Sequence, residues 1–446
     1  MRKREYGKFK LLSALVLLTL ILSSAGLSGS VLAQDGPPPP EVEKVNDFFS
    51  VEHLTMADGA KIDRGVINGP RAPIAGEDLG LSVEPLPAAG VIGSFPSYSW
   101  VFGCSAVSGA MIAGYLDRTG YWDMYTGPTN NGKMVLSDTV WGTWTDVAAD
   151  TYPNNPLIAS HQGVDGRSTK GSIDDYWIQY GSSANDPYVG NWTQHTWTDA
   201  VGDYMMTSQS AFGNSDGSTT FYNWSDASDG SKLTCATLSG YGINDDGTQG
   251  RRDFFTARGY GIDECYNQRT YNTASNGFDL DDLKAFIDRG FPVFINVVGH
   301  SMVAYGYSGT TVYIRNTWDN DPNTTYTMVW DSTPSYSGMD LYAVSIITLD
   351  PVAPKTRFPK GPITQSTPRF MWTRLAGATK YQVQLWQGGT RVFWRTVSSP
   401  FCNDEKCMKK WMIPIADGSY TWRVRAYVDG VWGPWSWKRW FSVTTP

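Results

Sequence analysis

Residues 99–115 have the sequence SWVFGCSAVSGAMIAGY, which places Cys104 at the start of a long run of apolar and small residues. Apolar side chains recur along this run at helical spacing, which predicts a buried helix over residues 104–118. A thiol in the first turn of a helix faces unpaired backbone N–H groups and the positive end of the helix dipole, and both favour the thiolate. Gly103 leaves open space for a substrate to approach. Cys104 is therefore a candidate nucleophile.

Two residues far downstream supply the other parts that a thiol nucleophile needs. His300 follows a glycine on the rim of a predicted strand and can act as the base. Asn316 lies across a predicted hairpin, where its side-chain oxygen would fix the tautomer of the His300 ring and Trp318 would shield that hydrogen bond from water. The order thiol, imidazole, amide predicts acyl chemistry by a catalytic triad of Cys104, His300 and Asn316. The rival bases are His53, His161 and His195.

Between Val91 and Asp350 helical patterns come first and strand patterns second. A second helix is indicated by apolar spacing over Trp197–Met205, and a third begins at the capping pair Asp279 and Asp282 and ends at Gly290. Three β-type runs follow, at residues 291–298, 301–307 and 311–318. This order predicts an α+β domain over residues 91–350.

The last part of the chain, residues 351–446, has an all-β pattern. A proline-rich linker over Pro351–Lys360 precedes short strands separated by GlnGlyGly, AspGlySer and AspGlyVal turns, which predicts an immunoglobulin-like β-sandwich. Trp372, the GlyAlaThrLysTyr step and GlySerTyrThrTrpArgValArgAla resemble a fibronectin type III domain. Cations and tryptophans are interleaved in two runs, at residues 422–425 with Arg423 and Arg425 and at residues 432–440, which predicts either a structural cation–π ladder or a face that binds anionic surfaces or glycans.

The first residues of the chain are typical of export. Residues 1–33 carry a basic start, an apolar stretch and a small-residue exit, which predicts a cleaved signal peptide; an uncleaved anchor is the alternative. No second apolar span follows, so the mature protein is expected to have no stable membrane span. Residues 34–90 are rich in Pro and Gly with weak periodicity, which predicts a loosely structured segment: either a pro-segment that covers the site or an arm that wraps the next domain.

The five cysteines form two expected pairs and a remainder. Cys402 and Cys407 flank a short loop, and Cys235 and Cys265 fall in one loop-rich region, so disulfides are expected in each place. Cys104 is left as a free thiol, either catalytic or buried and inert.

Charge divides the chain between its two main parts. Residues 351–446 hold 15 Lys and Arg against 4 Asp and Glu, whereas residues 34–350 hold 16 against 38. The basic part is expected either to dock on the acidic part or to hold the protein against an anionic cell-envelope polymer. A nucleic-acid partner is not expected for an exported, acidic protein.

GlyCysSer at a helix start, a GlyHis step on a strand and AsnThrTrp on the next strand resemble the papain-like cysteine peptidases, nearest to the branch related to bacteriocin-processing peptidases. The resemblance covers residues 91–350 and implies Cys104 as nucleophile, His300 as base and Asn316 as orienting residue. The family has a Gln oxyanion donor shortly before the Cys, and no Gln or Asn occurs between Ser94 and Cys104. Tyr98 is the candidate substitute, with Ser97 and Ser99 as the other options, and it would act together with the Cys104 backbone N–H.

These observations predict an exported cysteine peptidase that acts on a peptide or protein substrate through a thioester acyl-enzyme. The alternatives are a non-catalytic cell-surface binding protein on a peptidase fold and a thiol-dependent amidase or acyl transferase. No cofactor and no metal is expected. The acidic stretches from Ser215 and from Asn244 lack the full pattern of a calcium loop, so solvated turns are expected there.

Overall fold

The structure is a computed structural model that describes residues 42–70, 72–73, 79–81, 90–101, 103–125, 133–145, 149–159, 200–209, 212–214, 216–226, 230–271, 275–398, 401–403, 405–428 and 430–446. The expected signal peptide, residues 1–33, lies outside the described residues. The part of the chain from Pro40 onward forms one compact unit.

The helices are α1 (Cys104–Arg118), α2 (Val201–Tyr204), α3 (Cys235–Gly240), α4 (Gly247–Ala257) and α5 (Leu280–Asp288), with a 3-10 helix at Asp138–Trp141. The strands before the sandwich are β1 (Val42–Asn46), β2 (Phe49–Thr55), β3 (Lys61–Ile67), β4 (Thr143–Thr145), β5 (Thr151–Pro153), β6 (Thr219–Trp224), β7 (Leu233–Thr234), β8 (Ile262–Arg269), β9 (Val293–Val297), β10 (His300–Ser308), β11 (Thr311–Arg315), β12 (Tyr326–Val329) and β13 (Leu341–Leu349). Those of the sandwich are β14 (Thr356–Phe358), β15 (Gly361–Ile363), β16 (Arg369–Thr373), β17 (Ala378–Gln387), β18 (Thr390–Ser398), β19 (Lys406–Lys410), β20 (Gly418–Val428), β21 (Val431–Trp432) and β22 (Arg439–Val443).

Helix α1 has the bounds that the sequence predicts, and all its residues from Cys104 to Asp117 are buried. A helix that is apolar on every side is expected to be enclosed by the fold. The turn that starts it depends on Gly103, whose φ is +133° and whose Cβ, if present, would lie 2.2 Å from the carbonyl oxygen of Gly217. The physical reason for glycine here is thus a close approach of two backbones, and not the open path to substrate that the sequence predicts.

A seven-stranded antiparallel sheet supports α1, in the order β12-β11-β10-β9-β13-β8-β7. The three predicted β-runs correspond to β9, β10 and β11, and β9 and β10 meet at the pair Val297 and His300. Helix α5 begins with the predicted reciprocal cap between Asp279 and Asp282. The described part of the predicted second helix is the single turn α2, while Trp197 lies outside the described residues.

The N-terminal segment is more ordered than its composition predicts. Strands β1, β2 and β3 form a meander, and β3 pairs from Ile62 to Ile67 with β6 in a four-stranded sheet. Phe49, Val51 and Ile67 from this meander belong to the main hydrophobic core. The prediction of a loosely structured segment is therefore wrong for residues 42–67. The strands of this segment form one sheet with β6, and their apolar side chains pack into the main hydrophobic core.

Two sheets at the end of the chain pack face to face as a β-sandwich. One has the order β14-β16-β19 and the other β15-β22-β20-β17-β18. Phe370 of the first sheet meets Trp422 of the second at 5.1 Å between ring centroids, and Trp372 lies 5.4 Å from Tyr381. The chain as a whole is thus a mixed α+β protein with several antiparallel sheets.

The sandwich packs on the end of α1 through backbone and apolar contacts. The Ala376 N–H donates to the Thr119 carbonyl at 2.8 Å, and Leu375, which is 1% exposed, covers Gly120. Lys355 lies 3.6 Å from the centre of the Trp122 ring. The contact between the two parts thus includes a backbone hydrogen bond, an apolar side chain and a cation–π pair.

Candidate active site

Cys104 is completely buried at the first position of α1. Its sulfur accepts a hydrogen bond from the backbone N–H of Ser301 at 3.3 Å, which joins the helix start to β10. The hydroxyls of Ser105 and Ser301 are also hydrogen-bonded, at 2.8 Å. The thiol is therefore held against the strand that carries His300, the arrangement that the sequence predicts. The contribution of Ser301 was not predicted, although its position next to His300 is a signal for it.

His300 has its ring proton fixed on the side away from the thiol. Its Nε2 lies 2.8 Å from the main-chain carbonyl oxygen of Asn316, a group that can only accept, so Nε2 carries the proton. Nδ1 has no hydrogen-bond partner among the described residues. A single point, the Cβ position of Gly69, lies 2.4 Å from the Cys104 sulfur and 2.5 Å from Nδ1, so these two atoms are within about 5 Å of each other. The free lone pair of the imidazole thus lies on the thiol side.

The side chain of Asn316 has a different role from the predicted one. Its amide nitrogen donates to the Tyr336 hydroxyl at 3.0 Å, and its oxygen accepts from the Trp318 N–H at 3.1 Å. The prediction that this side chain fixes the His300 ring is wrong in detail, because the main-chain carbonyl of the same residue does so. The side chain instead holds the turn from which that carbonyl projects.

The AsnThrTrp sequence forms a sharp turn beside the imidazole. Thr317 has φ of +68°, which is uncommon for a β-branched residue, and its hydroxyl lies 3.3 Å from His300 Nε2. The turn places the Trp318 ring against the His300 ring, with centroids 4.3 Å apart and planes 19° from parallel. Trp318 therefore covers the imidazole itself, whereas the side-chain hydrogen bond that the sequence predicts it to shield is not formed.

Tyr98 does not reach the thiol. Its hydroxyl donates to the Val135 carbonyl at 2.8 Å and lies beside Gly114, ten residues along α1 from Cys104, or about 15 Å at the rise of a helix. This geometry contradicts its assignment as oxyanion donor. The Ser97 hydroxyl is also engaged elsewhere, with the Asp319 carbonyl at 2.7 Å.

The two loops of the site are connected through a buried carboxylate. Asp138 accepts from the Ser99 N–H at 3.0 Å and from the Asn320 side chain at 2.9 Å. Burial raises the pKa of Asp138 to about 6, against the lowering effect of these hydrogen bonds. Asp138 thereby ties the loop before Cys104 to the loop after Trp318.

The chain itself packs against the thiol and the imidazole. Gly69 and Pro70 are buried there, and the Pro70 carbonyl accepts from the indole N–H of Trp318 at 2.8 Å. A backbone hydrogen bond from Gly69 to Cys104 acts to lower the pKa of the thiol. No pattern in the sequence marks these residues as part of the site.

The Cys104 thiol and the His300 imidazole are both uncharged in this closed arrangement. Burial raises the pKa of the Cys104 thiol, and the hydrogen bonds from Ser301 and Gly69 oppose that effect. Burial also lowers the pKa of His300 to about 4, and the hydrogen bond to Asn316 opposes it. The pair is therefore a neutral thiol and a neutral imidazole until water or substrate enters.

The cysteine predictions agree with the structure. Disulfides join Cys235 to Cys265 and Cys402 to Cys407, and Cys104 is free. The first pair links the start of α3 to β8 and so does not lie in a loop-rich region. Two disulfides are typical of a protein from an oxidising compartment.

The other predicted residues lie away from this cleft or outside the described structure. His53 forms a cross-strand pair with Asp63 at 2.7 Å, which raises its pKa. His161 and His195 lie outside the described residues. Within the described part of the chain there is no group of three or more His, Cys, Asp or Glu side chains that could hold a metal ion. No helix in that part is long and apolar enough to cross a membrane.

A ladder of alternating cations and aromatic rings covers the outer face of the sandwich. Arg425 lies 4.7 Å from the Trp432 ring and 4.6 Å from the Trp435 ring, and Arg423 lies 4.5 Å from Trp435. The cation–π ladder that the sequence predicts as one of two possibilities is thus present at Trp432 and Trp435. Trp437, beside this ladder in sequence, is 94% exposed and is not explained by it.

Comparison with known proteins finds similarity to structures that contain fibronectin type III-like domains. No protein-family model matches the chain, and no curated protein matches it. Fibronectin(III)-like modules of CbhA from Clostridium thermocellum are 14% identical, with 21% of this chain and 94% of that chain covered and a TM-score of 0.14. The chicken interferon gamma receptor alpha chain is 10% identical, with 34% and 97% covered and a TM-score of 0.18. Chicken CNTN1 FN1-FN3 domains are 14% identical, with 34% and 65% covered and a TM-score of 0.18.

Proposed function

We propose that the protein is an exported thiol peptidase in which Cys104 is the nucleophile and His300 the base. The observation that carries the proposal is the hydrogen bond of the imidazole to the Asn316 main chain, with its other nitrogen close to the buried sulfur. The Asn316 carbonyl holds the proton on Nε2, which leaves the lone pair of Nδ1 on the side of the sulfur. An inert buried cysteine has no need of a histidine oriented in this way.

The reaction follows from these two groups. Nδ1 of His300 takes the thiol proton, and the sulfur of Cys104 adds to the peptide carbonyl carbon to form a tetrahedral oxyanion. As the C–N bond breaks, the imidazolium gives its proton to the leaving amine, and a thioester remains. His300 then takes a proton from water, whose oxygen adds to the thioester, and the carboxylic acid leaves as the thiol is restored.

Point variants test the assignment in the full mature chain. Cys104→Ala should reduce peptide hydrolysis to background, and His300→Ala should reduce it by about 10²- to 10⁴-fold because proton transfer is lost. Hydrolysis of unstructured protein substrates, followed by mass spectrometry, measures both. Full activity in either variant would contradict the proposal.

The same assay separates the alternative functions. A thiol amidase or acyl transferase would form the thioester but release it to a different acceptor, so added amines would change the product while Cys104→Ala still abolished turnover. A non-catalytic binding protein would retain peptide binding in Cys104→Ala and show no product in any variant.

The C-terminal sandwich is proposed to hold the protein to an anionic cell-envelope polymer. Residues 351–446 carry 15 basic residues against 4 acidic ones, and Trp437 and Trp440 are exposed beside Lys438. Exposed tryptophan beside cations suits a polymer that has both sugar rings and negative charge. Co-sedimentation of the full chain with anionic cell-wall material, weakened by salt and by Trp437→Ala, tests this proposal; binding that neither salt nor the variant changes would contradict it.

A further inference from the structure

The residues that fill the cleft are Asn68, Gly69 and Pro70, called here the blocking segment. Gly69 packs against both the Cys104 sulfur and Nδ1 of His300, since a Cβ on it would meet both atoms, and all three groups are buried. A substrate carbonyl must reach the sulfur from the space that Gly69 occupies. The site as folded is therefore closed to a peptide.

Space, and not backbone conformation, requires glycine at position 69. Its φ lies outside the left-handed region that favours glycine, yet an added Cβ would lie 2.4 Å from the sulfur and 2.5 Å from the imidazole nitrogen. Any other residue would push the segment, the thiol or the ring out of position. The closed arrangement thus depends on this one residue.

The blocking segment is held by backbone groups. The Asn68 N–H donates to the Phe48 carbonyl at 2.8 Å, and the Pro70 carbonyl accepts from Trp318 at 2.8 Å. The side-chain oxygen of Asn68 is buried without a hydrogen-bond partner among the described residues. An extended peptide can make the same kind of backbone contact with Trp318, so it can compete for this place.

Both flanks of the segment are anchored in the fold. Upstream, β3 is an inner strand of its sheet and Ile67 pairs with Thr219 of β6. Downstream, the Gly80 carbonyl accepts from the Thr327 N–H at 2.7 Å and the Gly90 carbonyl accepts from the Tyr307 N–H at 2.8 Å. Proteolytic removal of the N-terminal meander together with the blocking segment would take core residues from the sheet. A local movement of the blocking segment uncovers the site with less disturbance of the fold.

We propose that Asn68–Gly69–Pro70 is a built-in reversible block of the peptide cleft, displaced by an incoming extended peptide and retained in the active protein. This inference rests on the proposed function for the identity of the cleft, but the accessibility of the thiol can be measured without any catalysis.

The test is the rate at which iodoacetamide alkylates Cys104 in the folded full chain, followed by intact mass. If the open state is populated at about 0.1–10%, wild-type labelling is about ten- to a thousandfold slower than in denatured protein at the same pH. The rate should rise in proportion to the iodoacetamide concentration, because the segment closes again faster than the reagent alkylates an exposed thiol. Labelling that is as fast as in denatured protein would overturn the proposal.

Glycine variants separate displacement of the block from general loosening. Gly69→Ala should accelerate labelling at least about tenfold, since its Cβ cannot share the cleft with the closed segment. Gly250→Ala is the matched control: its Cβ would meet the Tyr204 carbonyl at 2.1 Å, at a buried helical site away from the cleft. Gly240→Ala, which has open space, controls for substitution itself. Equal acceleration by Gly69→Ala and Gly250→Ala would contradict a specific block.

Peptide hydrolysis by the same variants distinguishes the two proposals. Faster labelling of Gly69→Ala than of wild type and Gly250→Ala, without hydrolysis in any variant, supports the block and contradicts the peptidase. Hydrolysis by wild type together with labelling as fast as in denatured protein supports the peptidase and contradicts the block. Should Gly69→Ala fail to fold, the ratio of the labelling rates of folded and denatured wild type still decides the question.

Discussion

His300 is oriented by a main-chain carbonyl, which changes what substitution of Asn316 is expected to do. Asn316→Ala keeps that carbonyl and loses the hydrogen bonds to Tyr336 and to the Trp318 N–H. We expect kcat/KM to fall by less than about tenfold, against about 10²- to 10⁴-fold for His300→Ala. Steady-state hydrolysis measures both. Equal losses would mean that the side chain itself orients the ring during turnover.

Burial also sets the pH at which Cys104 reacts. The thiol must lose its proton to be alkylated, and burial raises its pKa, so wild-type labelling should keep rising with pH beyond the ordinary range of a thiol. In Gly69→Ala the uncovered thiol is in contact with water, the start of α1 and His300. The midpoint of the curve of labelling rate against pH should therefore move to lower pH. Initial alkylation rates between about pH 5 and 10 measure this. The same midpoint in both proteins would show that the block does not control the thiol.

Among the elements, those with a strong local signal could be predicted from sequence and the N-terminal meander could not. The apolar run after Cys104 gave α1 its bounds, and the reciprocal cap at Asp279 and Asp282 gave α5 its start. The meander has local signals too, in the alternation of Phe49 and Val51 and in the Asp58-Gly59 turn. Its partner is β6, more than 150 residues away in sequence, and a pairing of that range leaves no local pattern. The occupation of the cleft by Gly69 is equally non-local.

The meander should be essential to stability because its side chains complete the core. Ile67 is fully buried, so Ile67→Ala should lower the free energy of unfolding by about 2–5 kcal/mol. Val42 is 62% exposed, so Val42→Ala should change it by less than about 0.5 kcal/mol. Denaturant unfolding of the two variants measures the difference. A small and equal change in the free energy of unfolding in both variants would favour a loosely attached pro-segment over residues 42–67.

At the scale of the whole molecule, the opposite charges of the two parts do not explain how they meet. Leu375, the Ala376–Thr119 hydrogen bond and the Lys355–Trp122 pair belong to the contact, and the ion pair that joins the parts among the described residues, Lys133 with Glu405, is partly exposed. Such pairs contribute about 0–1 kcal/mol. The difference in charge therefore predicts that the chain has two parts, but it does not predict which surfaces of the two parts are in contact.

Salt should leave the docked arrangement intact. Small-angle scattering of the mature chain should give the same radius of gyration from about 0.05 to 1 M salt, because apolar contacts are not screened. Lys133→Ala should behave as wild type. Leu375→Asp should expand the particle, because the docked arrangement would bury an unpaired charge and is therefore destabilised. Expansion of the wild type on addition of salt would show that charge holds the parts together.

The central claim is that His300 activates Cys104 for attack on acyl groups, and covalent trapping by a peptidyl epoxide tests it most directly. Intact mass after prolonged incubation of the mature protein should show one adduct, mapped to Cys104, at a rate that falls by about 10²-fold or more in His300→Ala. Iodoacetamide, which needs no proton from the enzyme, reports in parallel that the thiol of each variant is reachable. An epoxide rate that is unchanged by His300→Ala, or an absence of epoxide adduct where iodoacetamide labels Cys104, would contradict the account.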